Sequence, residues 1–206
     1  MQFATEYLSA SIVGRQEQRL YTTLVFSFDL RLTSTTRSLN SIFMATRPIV
    51  EYPARVLLSP GEPVLNFDGE LEALVQDMFD TMYDAGGVGL AAQQIGVPLR
   101  LFVMDCDGIK LVAANPEVIA VEGEQSGEEG CLSVGKVPAD LKRPDRAVLR
   151  AQDLVGKTFE REASGLAARC FLHETDHCDG ILFIRHLSPL RRDLVTRKFR
   201  KMKKNP

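Results

Sequence analysis

The chain has 206 residues, 45% of them hydrophobic and 25% charged, with no Trp and a formal net charge of −2. That length suits one ordinary domain with its own core, and no apolar run approaches the roughly 18 residues that suggest a membrane span. The net charge hides a division: residues 44–187 carry 13 basic and 23 acidic side chains, whereas 188–206 carry eight basic and one acidic. Cys106, Cys131, Cys170 and Cys178 read as thiols, because nothing in the sequence signals an oxidising compartment.

Residues 1–43 contain twelve Ser or Thr, four Arg and three acids without a sustained period, so little packed structure is expected there. They read as a disordered extension, either an upstream run-on of the reading frame with Met44 as the working start or a segment resembling an organelle transit peptide. Residues 44–206 then form one catalytic domain.

A helix is expected from Asp68, its N-cap, because Leu71, Leu74, Val75, Met78, Phe79 and Met82 mark one face. Short strand-like runs follow at 99–105, 109–115, 117–123, 146–153 and 157–163, separated by Gly, Pro or Asp turn signals. A second helix is expected over 166–178, and "SPL" at 188–190 starts a third with Ser as N-cap and Pro in the first turn. The fold class is α+β: antiparallel or mixed sheets around a central helix, with a basic C-terminal helix at 188–206.

The central helix carries "HETDH" at 173–177. Residues four apart on a helix share a face, so His173 and His177 can turn two imidazoles to one cation while Glu174, about 100° away, stands beside it as a base. A catalytic site of this kind needs a third protein ligand and an open position. Position 183, where one peptidase pattern places a histidine, is Phe183, and no Glu occurs after Glu174. Asp176, Asp179 and Asp193 are the remaining downstream carboxylates; the first two are better placed to orient the histidines or satisfy the helix end. Cys170 shares the face, but seven residues of helix put it roughly 10 Å from His177. Cys131, in the Gly-flanked turn "EEGCLSV", is the better third ligand. His186 reads as structural or exposed.

"GVGLAAQQIG" (87–96), "EEGCLS" (128–133) and "HETDH" (173–177) together resemble, in order and spacing, the three signature motifs of bacterial-type peptide deformylases. The resemblance runs from about Ile49 to Ser188. It implies that Cys131, His173 and His177 bind one divalent metal, Fe²⁺ foremost with Zn²⁺, Ni²⁺ or Co²⁺ able to replace it. It implies that Glu174 is the general base and acid, and that the Gln94 amide and the Leu132 backbone N–H hold the oxyanion. Gly87, Val88 and Gly89 would meet the substrate backbone, with Val88, Leu132 and Cys170 lining the methionine pocket. Glu129 would pair with Arg143 to brace the Cys131 loop. The sequence departs from the pattern at Cys178, where Leu is usual, and in the loop "SVGKVPADLKRP".

The activity implied is removal of the N-formyl group from N-formylmethionyl nascent peptides, by a cytoplasmic monomer with no membrane contact; an organellar site would follow if residues 1–43 were a transit peptide. The C-terminal helix joins an apolar stripe, Leu187, Leu190, Leu194, Val195, Phe199 and Met202, to eight cations. It reads as a solvated helix or as a ribosomal RNA contact. The competing functions are a zinc peptidase of the H-E-x-x-H type and a metal-stabilised binding module without turnover.

Overall fold

The computed structural model describes residues 46–204, so the expectations for residues 1–43 lie outside the described residues. Helix α1 (Gly69–Asp84) begins where Asp68 accepts from the Glu70 and Leu71 backbone N–H groups, the cap read from sequence. Strands β1 (Gly89–Ala91), β2 (Leu101–Cys106), β3 (Ile109–Glu122), β6 (Arg146–Gln152) and β7 (Thr158–Ser164) form one antiparallel sheet in that order. Strands β4 (Gln125–Glu129) and β5 (Ala139–Arg143) form a separate antiparallel hairpin pair. Helices α2 (Gly165–Cys178) and α3 (Pro189–Lys204) complete the chain.

The five-stranded sheet is covered on both faces, which is why β2 reads as a continuous apolar run. Leu101 and Val103 join Leu71, Val75, Met78 and Met82 of α1 in one core cluster. Phe102, Met104 and Cys106 point the other way, into a cluster with Ala167, Ala168, Phe171 and Cys178 of α2. The period-2 alternation of the strand thus feeds two helices from one segment. Burial of α2 against the sheet fixes the helix that carries the H-E-x-x-H residues.

Two details differ from the sequence reading, and a third narrows it. The runs at 109–115 and 117–123 are one strand, because the Asn115–Pro116 signal makes an irregularity in the β3–β6 register rather than a turn. Asn115 takes φ 53 there, and its side chain bonds Val64 and Gln152. Of the antiparallel and mixed sheets expected, the structure has the antiparallel kind; among the described residues the one parallel pairing is an isolated bridge between Glu62 and Leu99. The apolar stripe of the last helix also divides: Leu187, Val195 and Phe199 are buried, whereas Leu190 and Leu194 are more than half exposed and Met202 is 49% exposed.

Those buried residues form a third cluster with Cys131, Val134, Val137 and Leu182, so α3 packs on the loop that carries Cys131. Gly135 is the contact point, with φ 65 and an added Cβ only 2.7 Å from Phe199 Cδ2. Gly135→Ala is expected to cost about 1–3 kcal/mol in urea denaturation, from left-handed strain plus that clash. Gly108→Ala, with φ 73 but open space around it, should cost only the conformational part. Equal losses for the two would contradict the packing contribution.

Candidate metal centre

Helix α2 sets two imidazoles side by side: the rings of His173 and His177 lie 4.9 Å apart at 76°. Cys131 arrives from a separate segment. It follows β4 and caps the 3-10 turn Leu132–Val134, its own carbonyl accepting from the Val134 and Lys136 N–H groups. That turn brings Cys131 Sγ to 3.2 Å from His177 Nε2. Ligand atoms of Cys131, His173 and His177 all lie within 4.8 Å of one another, and all three residues are buried. One sulfur and two imidazole nitrogens at this spacing suit a divalent transition ion.

The histidine ring is fixed from behind. His173 Nδ1 meets Glu129 Oε1 at 2.7 Å, which leaves Nε2 for a cation. Burial disfavours the charged form of Glu129, but hydrogen bonds from His173 and Arg143 outweigh it and hold its carboxyl well below the usual carboxylate range. Burial likewise lowers the pKa of His177 and opposes charge on His173, where hydrogen bonds to Cys131 and Glu129 prevail and raise it. The groups that accept from His173 thus favour positive charge on that side of the site.

Glu174 is buried, and its Oε2 has no hydrogen-bond partner among the described residues. Burial pushes its carboxyl up to about 7, against the pull of His173. A carboxyl so placed is poised to exchange a proton near neutral pH. Gln94 sits on the 3-10 turn Ala92–Ile95, its Oε1 accepting from Ala91 N at 2.8 Å. That bond turns its amide nitrogen toward Cys131 Sγ at 3.6 Å and Ser133 Oγ at 3.4 Å.

Nine of the ten residues singled out from sequence line one cavity of about 250 Å³: Gly87, Val88, Gly89, Gln94, Cys131, Leu132, Cys170, His173 and Glu174. His177, the tenth, lies behind them at 1% exposure. Cys170 faces the cavity and its thiol donates to Val88 O at 3.8 Å, so it borders the site without belonging to the metal-ligand group. A roomier depression of about 520 Å³ between β3 and the turn before β7 is lined by neither histidine nor cysteine, so volume alone does not mark the chemistry.

A model of the polypeptide deformylase family matches residues 46–193. The chain belongs to that family. The peptide deformylase of Acidobacterium capsulatum is 49% identical over 166 residues, spanning 78% of this chain and 98% of the relative. The crystal structure of a Legionella pneumophila peptide deformylase matches with a TM-score of 0.75 at 47% identity, over 78% of this chain and 96% of the other. A Synechococcus elongatus peptide deformylase solved with actinonin matches at 0.71 and 34% identity, over 75% and 88% of the two chains.

Two sequence expectations need correction within this deformylase site. They concern Asp176 and Asp179: His186, exposed and structural as read from sequence, puts its Nε2 2.8 Å from Asp176 Oδ2 and 3.3 Å from an Arg143 nitrogen. Asp176 therefore serves Arg143 and His186 rather than the paired histidines, and Asp179 pairs with Arg100 at 2.6 Å. Sequence reasoning also missed Arg169, which lines the cavity and bonds Glu129. Its position one helical turn before His173 was the available signal.

Gly89 marks how tightly the strand edge closes on the acid, since an added Cβ would lie 2.5 Å from Glu174 Oε1 and 2.8 Å from Cys170 Sγ. Gly89→Ala must displace Glu174, and turnover of the folded variant is expected to fall on the order of 100-fold, beyond the lower urea midpoint that overpacking brings. Retention of parental turnover would show that Glu174 need not stand where the structure puts it.

Proposed function

We propose that this chain removes the N-formyl group from the initiator methionine of newly made polypeptides, releasing formate and a free amino terminus. Membership of the deformylase family supports the reaction, and the observation that carries the chemistry is the convergence of Cys131 with His173 and His177 beside an unpartnered Glu174 oxygen. The family membership also speaks against an internal-bond peptidase and against a binding module without turnover.

In this reading Cys131, His173 and His177 hold one divalent ion, and Fe²⁺ is the physiological one, with Zn²⁺, Ni²⁺ or Co²⁺ as replacements. An ion held there would supply Lewis-acid activation of water near neutral pH. Glu174 takes the proton from the attacking water and hands it to the departing amine nitrogen. The Gln94 amide and the Leu132 backbone N–H donate to the oxygen on which negative charge develops, an effect worth roughly 3 kcal/mol per donor. Gly87, Val88 and Gly89 pair with the substrate backbone as an added strand, and Val88, Leu132 and Cys170 receive the methionine side chain. Formyl has only hydrogen on its carbonyl carbon, so a closely walled cavity admits it and excludes internal peptide bonds.

Every ligand donor of the Cys131, His173 and His177 group comes from one chain, which supports a monomer as the working unit, and work on newly made polypeptides suits the cytoplasm, or an organelle if residues 1–43 are a transit peptide. No helix among the described residues is long and apolar enough to cross a membrane. Arg191, Arg197, Lys198, Arg200 and Lys201 on α3, with half-buried Arg192 beside them, provide a surface for ribosomal RNA, since the helix docks through Val195 and Phe199 and leaves those five side chains exposed.

Formate release from formyl-Met-Ala tests the reaction: it is expected with metal, abolished by chelator, and absent for a peptide lacking formyl. Glu174→Gln should lower kcat by about 10²–10⁴ with metal retained, and near-parental turnover would rule out its role. Truncation after Leu187 should abolish salt-sensitive co-sedimentation with ribosomes; unchanged co-sedimentation would exclude the α3 contact.

A further inference from the structure

The buried carboxylate of Glu129 has more partners than the one arginine that its sequence context suggests. Arg143 already grips both oxygens, Nε to Oε2 at 3.1 Å and Nη2 to Oε1 at 2.8 Å. Arg169 adds Nη1 to Oε2 at 3.0 Å. Both arginine side chains are only 6% exposed. One forked arginine already balances the charge of one carboxylate and fills only two of its roughly four acceptor sites, so the second guanidinium adds charge and a further tie.

Part of that need is charge. Arg143 is shared, its Nη1 lying 2.8 Å from Asp176 Oδ2. Arg169 meets no carboxylate other than Glu129 among the described residues. The two arginines match Glu129 and Asp176 one for one, so removing Arg169 withdraws one of the positive charges held against buried Glu129.

The other part is position. Arg169 and His173 are four residues apart on α2, share a face, and hold the two oxygens of the same carboxylate. Arg169 Nη1 also donates to Leu141 O on β5 at 3.2 Å. One rigid helix thus clamps Glu129 along its length and is tied to both strands of the hairpin, whose first strand β4 ends two residues before Cys131.

We propose that Arg169 is a positioning residue for the metal centre: through Glu129 it sets the ring of His173, and through β4 and β5 it sets the approach of Cys131 to helix α2. This rests on the metal-binding reading given above. The orienting partners of metal-bound histidines typically carry 10- to 100-fold in metal affinity, about what Arg169 should carry here.

The test uses the full chain loaded with Co²⁺, whose visible absorption reports thiolate and imidazole coordination, with release to chelator timed in parallel. Arg169→Met keeps the unbranched stem and removes the fork; it should shift the cobalt bands and speed release at least about tenfold. Arg169→Lys keeps the charge without the fork and should fall between that variant and the parent. If both variants match the parent in spectrum and release, even with a lower melting temperature, Arg169 is only structural and the proposal is overturned. Should Arg169→Met fail to fold, Arg169→Lys decides by the same readouts: an intermediate result supports the proposal and a parental one overturns it. A parent chain that develops no thiolate–cobalt absorption would sink the metal-centre reading itself, and this proposal with it.

Discussion

A single buried carboxylate joins the two halves of the site. Glu129 comes from a two-stranded hairpin and His173 from a helix packed on a different sheet, and the 2.7 Å contact between them makes one unit of the two. An unpaired charge at this depth would be strongly destabilising, so the carboxylate persists only because Arg143, Arg169 and His173 surround it. With Glu129 fixed, Cys131 two residues later has little freedom, and its sulfur meets His177.

The fold explains why this arrangement stays closed to solvent. α2 lies against the five-stranded sheet through Ala167, Ala168 and Phe171, while α1 fills the opposite face, so the histidines sit on a helix with its sheet-facing side fully committed. The Cys131 loop is held separately, by the cluster that α3 completes with Val195 and Phe199. Three cores therefore meet around one cavity. Glu174 takes its raised pKa from that enclosure, because removal of water penalises its charged form more than His173 restores it.

Much of this was legible in the sequence, for identifiable reasons. The helices announced themselves by 3.6-residue periodicity and caps, and α1 begins at the predicted Asp68. The pair His173 and His177 follows from helix geometry alone, and the exclusion of Cys170 as a ligand from helix rise. What stayed hidden is what long-range contact decides. β1 is three residues, Gly89–Ala91, too short for any period, and β4 reads QSGEE, polar and glycine-containing, so neither carries a strand signal. β4 exists because β5 pairs with it and because arginines neutralise Glu129. The roles of Arg169, Asp176 and His186 escaped for a related reason: spacing puts Arg169 and Asp176 on the helix of His173, but the partners that define their roles, Glu129, Arg143 and His186, arrive from other elements.

The central claim is that a sulfur from a distant loop and two imidazoles from one helix hold the same ion. X-ray absorption at the metal edge of the loaded chain measures this directly. One sulfur at about 2.3 Å and two nitrogens at about 2.0–2.1 Å are expected for zinc, with the remaining position taken by a light atom. A spectrum without sulfur scattering, or one unchanged in Cys131→Ser, would contradict it.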